Sequence, residues 1–123
     1  MSAEDGEYFI GRPNDPIFED KRNYKVGFFM EGILRRVDFE FAEMDLPEVD
    51  LEPPHYHKLA TELTYCISGR LYLIVHQRDE IELVAREWLF LPPRVVLQNP
   101  RNDPGTRIVV FKTPSVPGDK FYA

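Results

Sequence analysis

Two histidines and a carboxylate stand close together in the run His55-Tyr56-His57-Lys58-Leu59-Ala60-Thr61-Glu62. In an extended strand, residues i and i+2 project to the same face, so both imidazoles reach a common point. In a helix the same pair would diverge by roughly 200 degrees, given 3.6 residues per turn. Chemistry by the pair therefore requires a strand, and the prolines just before His55 favour extended backbone there. The step from His57 to Glu62 is odd, which on one unbroken strand would turn the acid to the opposite face. A turn within 58–61 is expected to reset the phase, so that Glu62 opens the next strand and faces the histidines across a ladder. Two imidazoles and one carboxylate with open positions are an arrangement known for non-haem iron, and they also suit manganese, nickel or zinc. The plainer alternative is a pair of strand-end histidines satisfied by water, beside an exposed hairpin carboxylate.

The elements that must position these groups are strands. Eleven prolines and seven glycines punctuate the chain, and between them lie short runs rich in Val, Ile, Phe, Tyr and Leu. Predicted strands cover 25–30, 33–41, 55–57, 63–67, 71–76, 81–84, 88–91, 95–98 and 107–112. Short strands at regular spacing point to an all-β sandwich or barrel. Gly69-Arg70 and residues 77–80 sit where hairpin turns are wanted, while Pro92-Pro93 and residues 100–105 interrupt pairing, so the second half reads as a meander of hairpins. Residues 45–54 read as an acidic, proline-rich loop, and the chain is expected to leave the sheet after Thr113, because Pro114 and Pro117 cannot continue a central strand. The resulting division is an N-terminal arm at 1–23, a barrel domain at 24–113 and a C-terminal tail at 114–123.

Length and composition agree with one domain. The chain has 123 residues, 43% of them hydrophobic and 29% charged, enough to bury one core. A formal charge of −6 repels phosphate backbones and argues against a nucleic-acid partner. No apolar run approaches the roughly 18 residues that read as a membrane span, so no membrane partner is expected. The first residues, MSAEDGEYF, lack the basic start and apolar middle of a signal peptide, and Cys66 is the only cysteine, so no internal disulfide can form. Both observations suit a reducing, cytoplasmic location.

The pattern His55-x-His57-x4-Glu62-x6-Gly69 resembles the first signature motif of the cupin superfamily. The second motif of that superfamily is partly matched by residues 87–97: the Pro92-Pro93 turn is similar, but Arg94 stands where glycine is usual and Leu97 where a fourth metal-binding histidine is usual. The resemblance covers roughly 52–113 and implies a double-stranded β-helix, that is, a jelly-roll barrel commonly found as a homodimer. It implies one divalent metal ion held by His55, His57 and Glu62, with more open coordination than four ligands would leave. Gln98 takes the fourth place only if its strand slips by one residue. The stretch 91–95 also looks like the corresponding part of 3-hydroxyanthranilate dioxygenases, which are cupins that use iron.

Three further residues are candidates for touching a substrate. Alternation over 33–41 puts Ile33, Arg35, Val37, Phe39 and Phe41 on one face and Arg36, Asp38 and Glu40 on the other. If the first face lines the barrel, Arg35 pairs with a substrate carboxylate; otherwise it snorkels to water. Cys66 shares the parity of Glu62 and looks toward the metal, unless it is simply a buried, inert thiol. Tyr65 supplies packing area or a stacking wall for a ring-shaped ligand. His76 reads as a surface residue at a hairpin end. Two functional classes follow: a metal-dependent dioxygenase or isomerase acting on a small polar or aromatic acid, or a non-catalytic cupin that binds or senses a small molecule with or without metal. A third reading is an empty barrel that serves as a dimer scaffold.

Overall fold

Short apolar runs broken by proline and glycine leave this chain little but sheet to form, and the computed structural model is built from strands. It describes Ile10, Arg12 and residues 18–21, 24–28 and 39–123. Within these lie β1 (Phe18–Lys21), β2 (Tyr24–Phe28), β3 (Glu40–Asp45), β4 (His55–Tyr56), β5 (Thr61–Ser68) and β6 (Arg70–Val75). They continue with β7 (Asp79–Val84), β8 (Trp88–Leu91), β9 (Leu97–Asn102), β10 (Arg107–Thr113) and β11 (Phe121–Tyr122). There is no helix among the described residues, and so none long and apolar enough to cross a membrane.

The strands form two antiparallel sheets, one in the order β1-β2-β3-β10-β5-β8 and the other β11-β4-β9-β6-β7. Inward side chains from both meet in one core, with Ala42, Cys66, Ile108 and Val110 from the first and Leu71, Leu73 and Leu83 from the second. The all-β jelly-roll expectation is met, with a different connectivity. From β5 to β10, only β6 and β7 pair as consecutive neighbours; β5 pairs with β8 and β10, and β6 with β9. The meander expected from turn residues is therefore replaced by strands that change sheet at every bend from β5 to β10 except the β6–β7 turn.

Gly69 shows how. It forms a corner between sheets where a hairpin was expected, since β5 and β6 lie in different sheets. Its φ is +81°, and a Cβ there would fall 2.3 Å from Thr106 Oγ1 and 2.6 Å from Thr106 Cα. Only glycine can take that conformation against that neighbour. Thr106 closes the corner by accepting the Arg70 N–H at 3.0 Å and donating to Asp103 O at 2.7 Å. The true hairpin, β6–β7, turns through His76 and Gln77 at φ of 53° and 54°, and Arg78 N–H donates to Val75 O at 3.1 Å. Positive φ at both central positions suits the twist of paired strands.

Two further expectations change. Pro100 does not end pairing: β9 runs through it because the β6–β9 register shifts between Tyr72 and Ile74, which leaves the proline in an irregularity where no N–H is required. In β3 the inward residues are Glu40 and Ala42, at 6% and 7% exposure, so Glu40 is inside rather than outside. Simple alternation fails here: Phe39 is half-buried with its ring stacked 5.3 Å from that of Phe111, while Glu40 finds the Lys112 ammonium within the barrel. Arg35 and most of the predicted strand 33–41 lie outside the described residues.

Candidate functional site

A cavity of about 590 Å³ opens between the sheets, and His55, His57 and Glu62 all line it. The histidines arrive on and just after β4 in the smaller sheet, Glu62 on β5 in the larger one. Glu62 thus faces the imidazoles across the barrel interior and not across a ladder, which corrects the sequence expectation. The turn that resets the phase is held from a distance: the Asp119 carboxylate accepts the N–H groups of Lys58 (2.9 Å), Leu59 (3.1 Å) and Ala60 (3.0 Å). Burial disfavours the Asp119 anion, but those donors and the nearby His57 outweigh it and hold the carboxyl below its usual range.

The two imidazoles sit in different environments. His57 Nδ1 hydrogen-bonds the backbone carbonyl of Asp119, which sets the tautomer and leaves Nε2 directed toward Glu62 Oε1, 3.8 Å away. His55 packs edge-on to His57, with ring centroids 5.9 Å apart. Its Nδ1 lies 3.1 Å from Glu52 Oε1, yet that buried nitrogen makes no hydrogen bond. The approach lies outside hydrogen-bonding directions. Burial, reinforced by the Lys120 ammonium and opposed by Glu52, lowers the His55 pKa to about 4, so the ring is neutral at pH 7. Glu52 itself is engaged by Lys120 Nζ.

Along the wall of the larger sheet, Glu40, Lys112 and Glu62 stand in register on β3, β10 and β5. Lys112 Nζ lies 3.0 Å from Glu40 Oε1, and Ser115 Oγ donates to Glu40 Oε2 at 3.1 Å. Apolar side chains, among them Leu71, Leu73, Leu97, Ile108 and Val110, line the rest of the cavity. Among the described residues no group of three or more His, Cys, Asp or Glu side chains is arranged to hold a metal ion.

The remaining sequence candidates fall elsewhere. Gln98 is absent from the cavity lining, whereas its neighbours Leu97 and Asn99 line it; Leu97 pairs with both His55 and Val75, and no slip brings Gln98 inward. Cys66 is fully buried in the core, its thiol donating to Ser68 O at 3.3 Å, and does not line the cavity. Tyr65 is 41% exposed on the outer face of its strand, because its parity is opposite to that of Glu62. Glu40, Glu52, Lys112, Asp119 and Lys120 were missed. Lys112 was legible in principle, because it follows Ile108 and Val110 at the same parity. Asp119 and Lys120 carried no local signal. Arg94, at a position where the resembled motif favours glycine, has φ of 73°, and its N–H donates to His57 O at 2.6 Å.

No protein-family model and no curated protein matches the chain. Solved structures do. The structure of Streptomyces Pac13 with uridine, a protein described as a nucleoside dehydratase, superposes with a TM-score of 0.66 at 10% identity, covering 86% of this chain and 82% of that one. KdgF from Halomonas sp. superposes with a TM-score of 0.64 at 13% identity over 88% and 94%. Bacillus subtilis oxalate decarboxylase OxdC gives a TM-score of 0.66 at 11% identity over 85% of this chain and 29% of its own. Identities this low speak for the shared barrel and not for a shared activity.

Proposed function

We propose that this chain, which has the cupin fold, binds a small molecule within its barrel and does so beside a divalent metal ion held by His55, His57 and Glu62. The observation that carries the reading is the 590 Å³ cavity into which all three donors project, with an apolar remainder large enough for the body of a ligand. Similar barrels in Pac13 and OxdC belong to proteins named for acting on a nucleoside and on oxalate, which supports a small-molecule role.

The donor chemistry fits a divalent cation. His55 is kept neutral, the ligating form, and its buried Nδ1 has no hydrogen-bond partner. His57 is oriented by the backbone behind it, as a ligating imidazole is by its outer partner, and Glu62 supplies the charge. A divalent ion supplies Lewis acidity there, polarising a ligand oxygen or activating water. The chain's own groups orient the ligand and exclude water through Leu71, Leu73 and Leu97, while the bond at Nδ1 leaves His57 Nε2 as the nitrogen that would ligate. Dioxygenase and isomerase chemistry both suit such a site.

A second reading is binding or sensing without turnover. It is favoured by Leu97, which lines the cavity beside His55 where the resembled motif would place an imidazole. Metal analysis after loading with Fe(II), Mn(II), Ni(II) or Zn(II), followed by incubation with ligands that raise the melting temperature, separates the two. Bound metal with turnover supports the first, and a ligand recovered unchanged supports the second. Absence of both metal and ligand binding would sink the proposal.

A second copy of the chain is the proposed macromolecular partner. Among the described residues β8 is the edge of its sheet, and Trp88 and Phe90 on it and Tyr65 and Ile67 on the adjacent β5 are exposed. Exposed aromatic surface beside such an edge supports a contact face there. Sedimentation of wild type against Trp88→Glu tests it: a dimer that the substitution dissociates supports the pairing, and a monomeric wild type rules it out.

A further inference from the structure

Lys112 and Glu40 occupy inward positions that, one step along each strand, belong to Val110 and Ala42. A buried ion pair gains little stability over apolar residues of similar size, so packing alone does not call for it. Glu40 is 6% exposed, both residues line the cavity, and Ser115 fixes the second Glu40 oxygen. Neither belongs to the proposed metal donors.

We infer that Glu40 and Lys112 form a subsite for the uncharged, hydroxyl-bearing part of the ligand. A hydroxyl both donates and accepts hydrogen bonds. A carboxylate and an ammonium 3.0 Å apart offer one acceptor and several donors with no net charge between them, which matches that pattern. A ligand carboxylate would meet Glu40 and Glu62, which flank Lys112 in register on either side. The other lysine lining the cavity, Lys120, is already taken by Glu52. Ile108 and Val110 precede Lys112 on the same face of β10, so an apolar portion of the ligand would extend toward the core from this point. The ligand class is a neutral polyhydroxylated ring joined to an apolar body. The inference deepens the small-molecule reading and rests on it, but it does not depend on the metal.

The test is binding by the intact protein, followed by calorimetry and ligand-observed NMR. The probes are phenyl β-D-glucopyranoside and phenyl β-D-ribofuranoside, the matched phenyl glucuronide, and 2-phenoxytetrahydropyran, which keeps two rings without the hydroxyls. The neutral glycosides are expected to bind at least about 10-fold more tightly than the glucuronide or the hydroxyl-free ether. Glu40→Gln and Lys112→Met, with folding checked by melting temperature, are expected to weaken glycoside binding by about 10- to 100-fold. Equal binding of the glucuronide or the ether, no glycoside binding, or unchanged affinity in a folded Glu40→Gln protein would each overturn the subsite. If a variant fails to fold, the probe comparison on wild type decides alone. Repeating it after chelation separates the two ideas: glycoside binding by protein that takes up no metal counts against the metal reading only, and metal uptake without glycoside binding counts against the subsite only.

Discussion

The backbone carbonyl of Asp119 receives His57 Nδ1, so a residue close to the C-terminus sets the tautomer of an imidazole in the cavity. The carboxylate of the same residue caps the bend that carries the chain from His57 to Glu62. Pro114 and residues 116–120 contribute to the cavity wall, and β11 then pairs with β4 through Phe121–Tyr56 and Tyr122–His55.

Asp119→Ala is expected to lower stability by about 2–4 kcal/mol, since it strips an acceptor from three backbone N–H groups in a mostly buried setting. Asp119→Asn, which keeps one acceptor oxygen, is expected to lose about half as much. Urea unfolding at pH 7 checks both. The folded carboxyl titrates below its ordinary value of 3.8, so its contribution is complete above that value and fades as pH falls through the lower folded value. The asparagine variant is expected to lack this part of the acid limb.

Gly69→Ala is expected to cost about 2–4 kcal/mol, because the added Cβ meets Thr106 backbone as well as side chain at a φ of +81°. Arg94→Gly is expected to move the other way or hardly at all, within about 1 kcal/mol. It relieves a φ of 73° while adding freedom to the unfolded chain. Thermal unfolding of the two variants side by side gives the comparison.

Glu62→Ala and His57→Ala are each expected to reduce divalent-metal affinity by about 100-fold or more, while Gln98→Ala leaves it unchanged because Gln98 does not line the cavity. Competition titration with a chromogenic chelator measures all three. Equal affinity across the set would remove the metal site.

Cys66 is expected to resist thiol reagents in the native protein and react only after unfolding, because it is fully buried. Burial raises its pKa above the ordinary 9.0; a backbone hydrogen bond with Ser68 opposes the rise and the Glu87 charge adds to it. Its contribution to stability is therefore complete below 9.0 and is lost as pH rises through the folded value. Cys66→Ala is expected to shift that alkaline limb upward in pH while costing about 1–2 kcal/mol near neutrality. Reagent kinetics with and without denaturant, and unfolding across alkaline pH, read these effects.

What the chain declares locally is what its neighbours in sequence control. Period-two alternation places β8 at Trp88–Leu91, as expected, and β10 one residue longer than expected, while the His55-x-His57 spacing directs two imidazoles into one cavity. Those outcomes depend on strand pleat and turn chemistry, which a few consecutive residues encode. Which strands pair, and which distant groups meet the cluster, depends instead on corners such as Gly69 and on chain ends that return to the barrel. The inward turn of Glu40, its pairing with Lys112 and the hold of Asp119 on His57 join residues 62 to 75 positions apart or more than one strand away. No local period carries such contacts; only the closed packing of two sheets decides them.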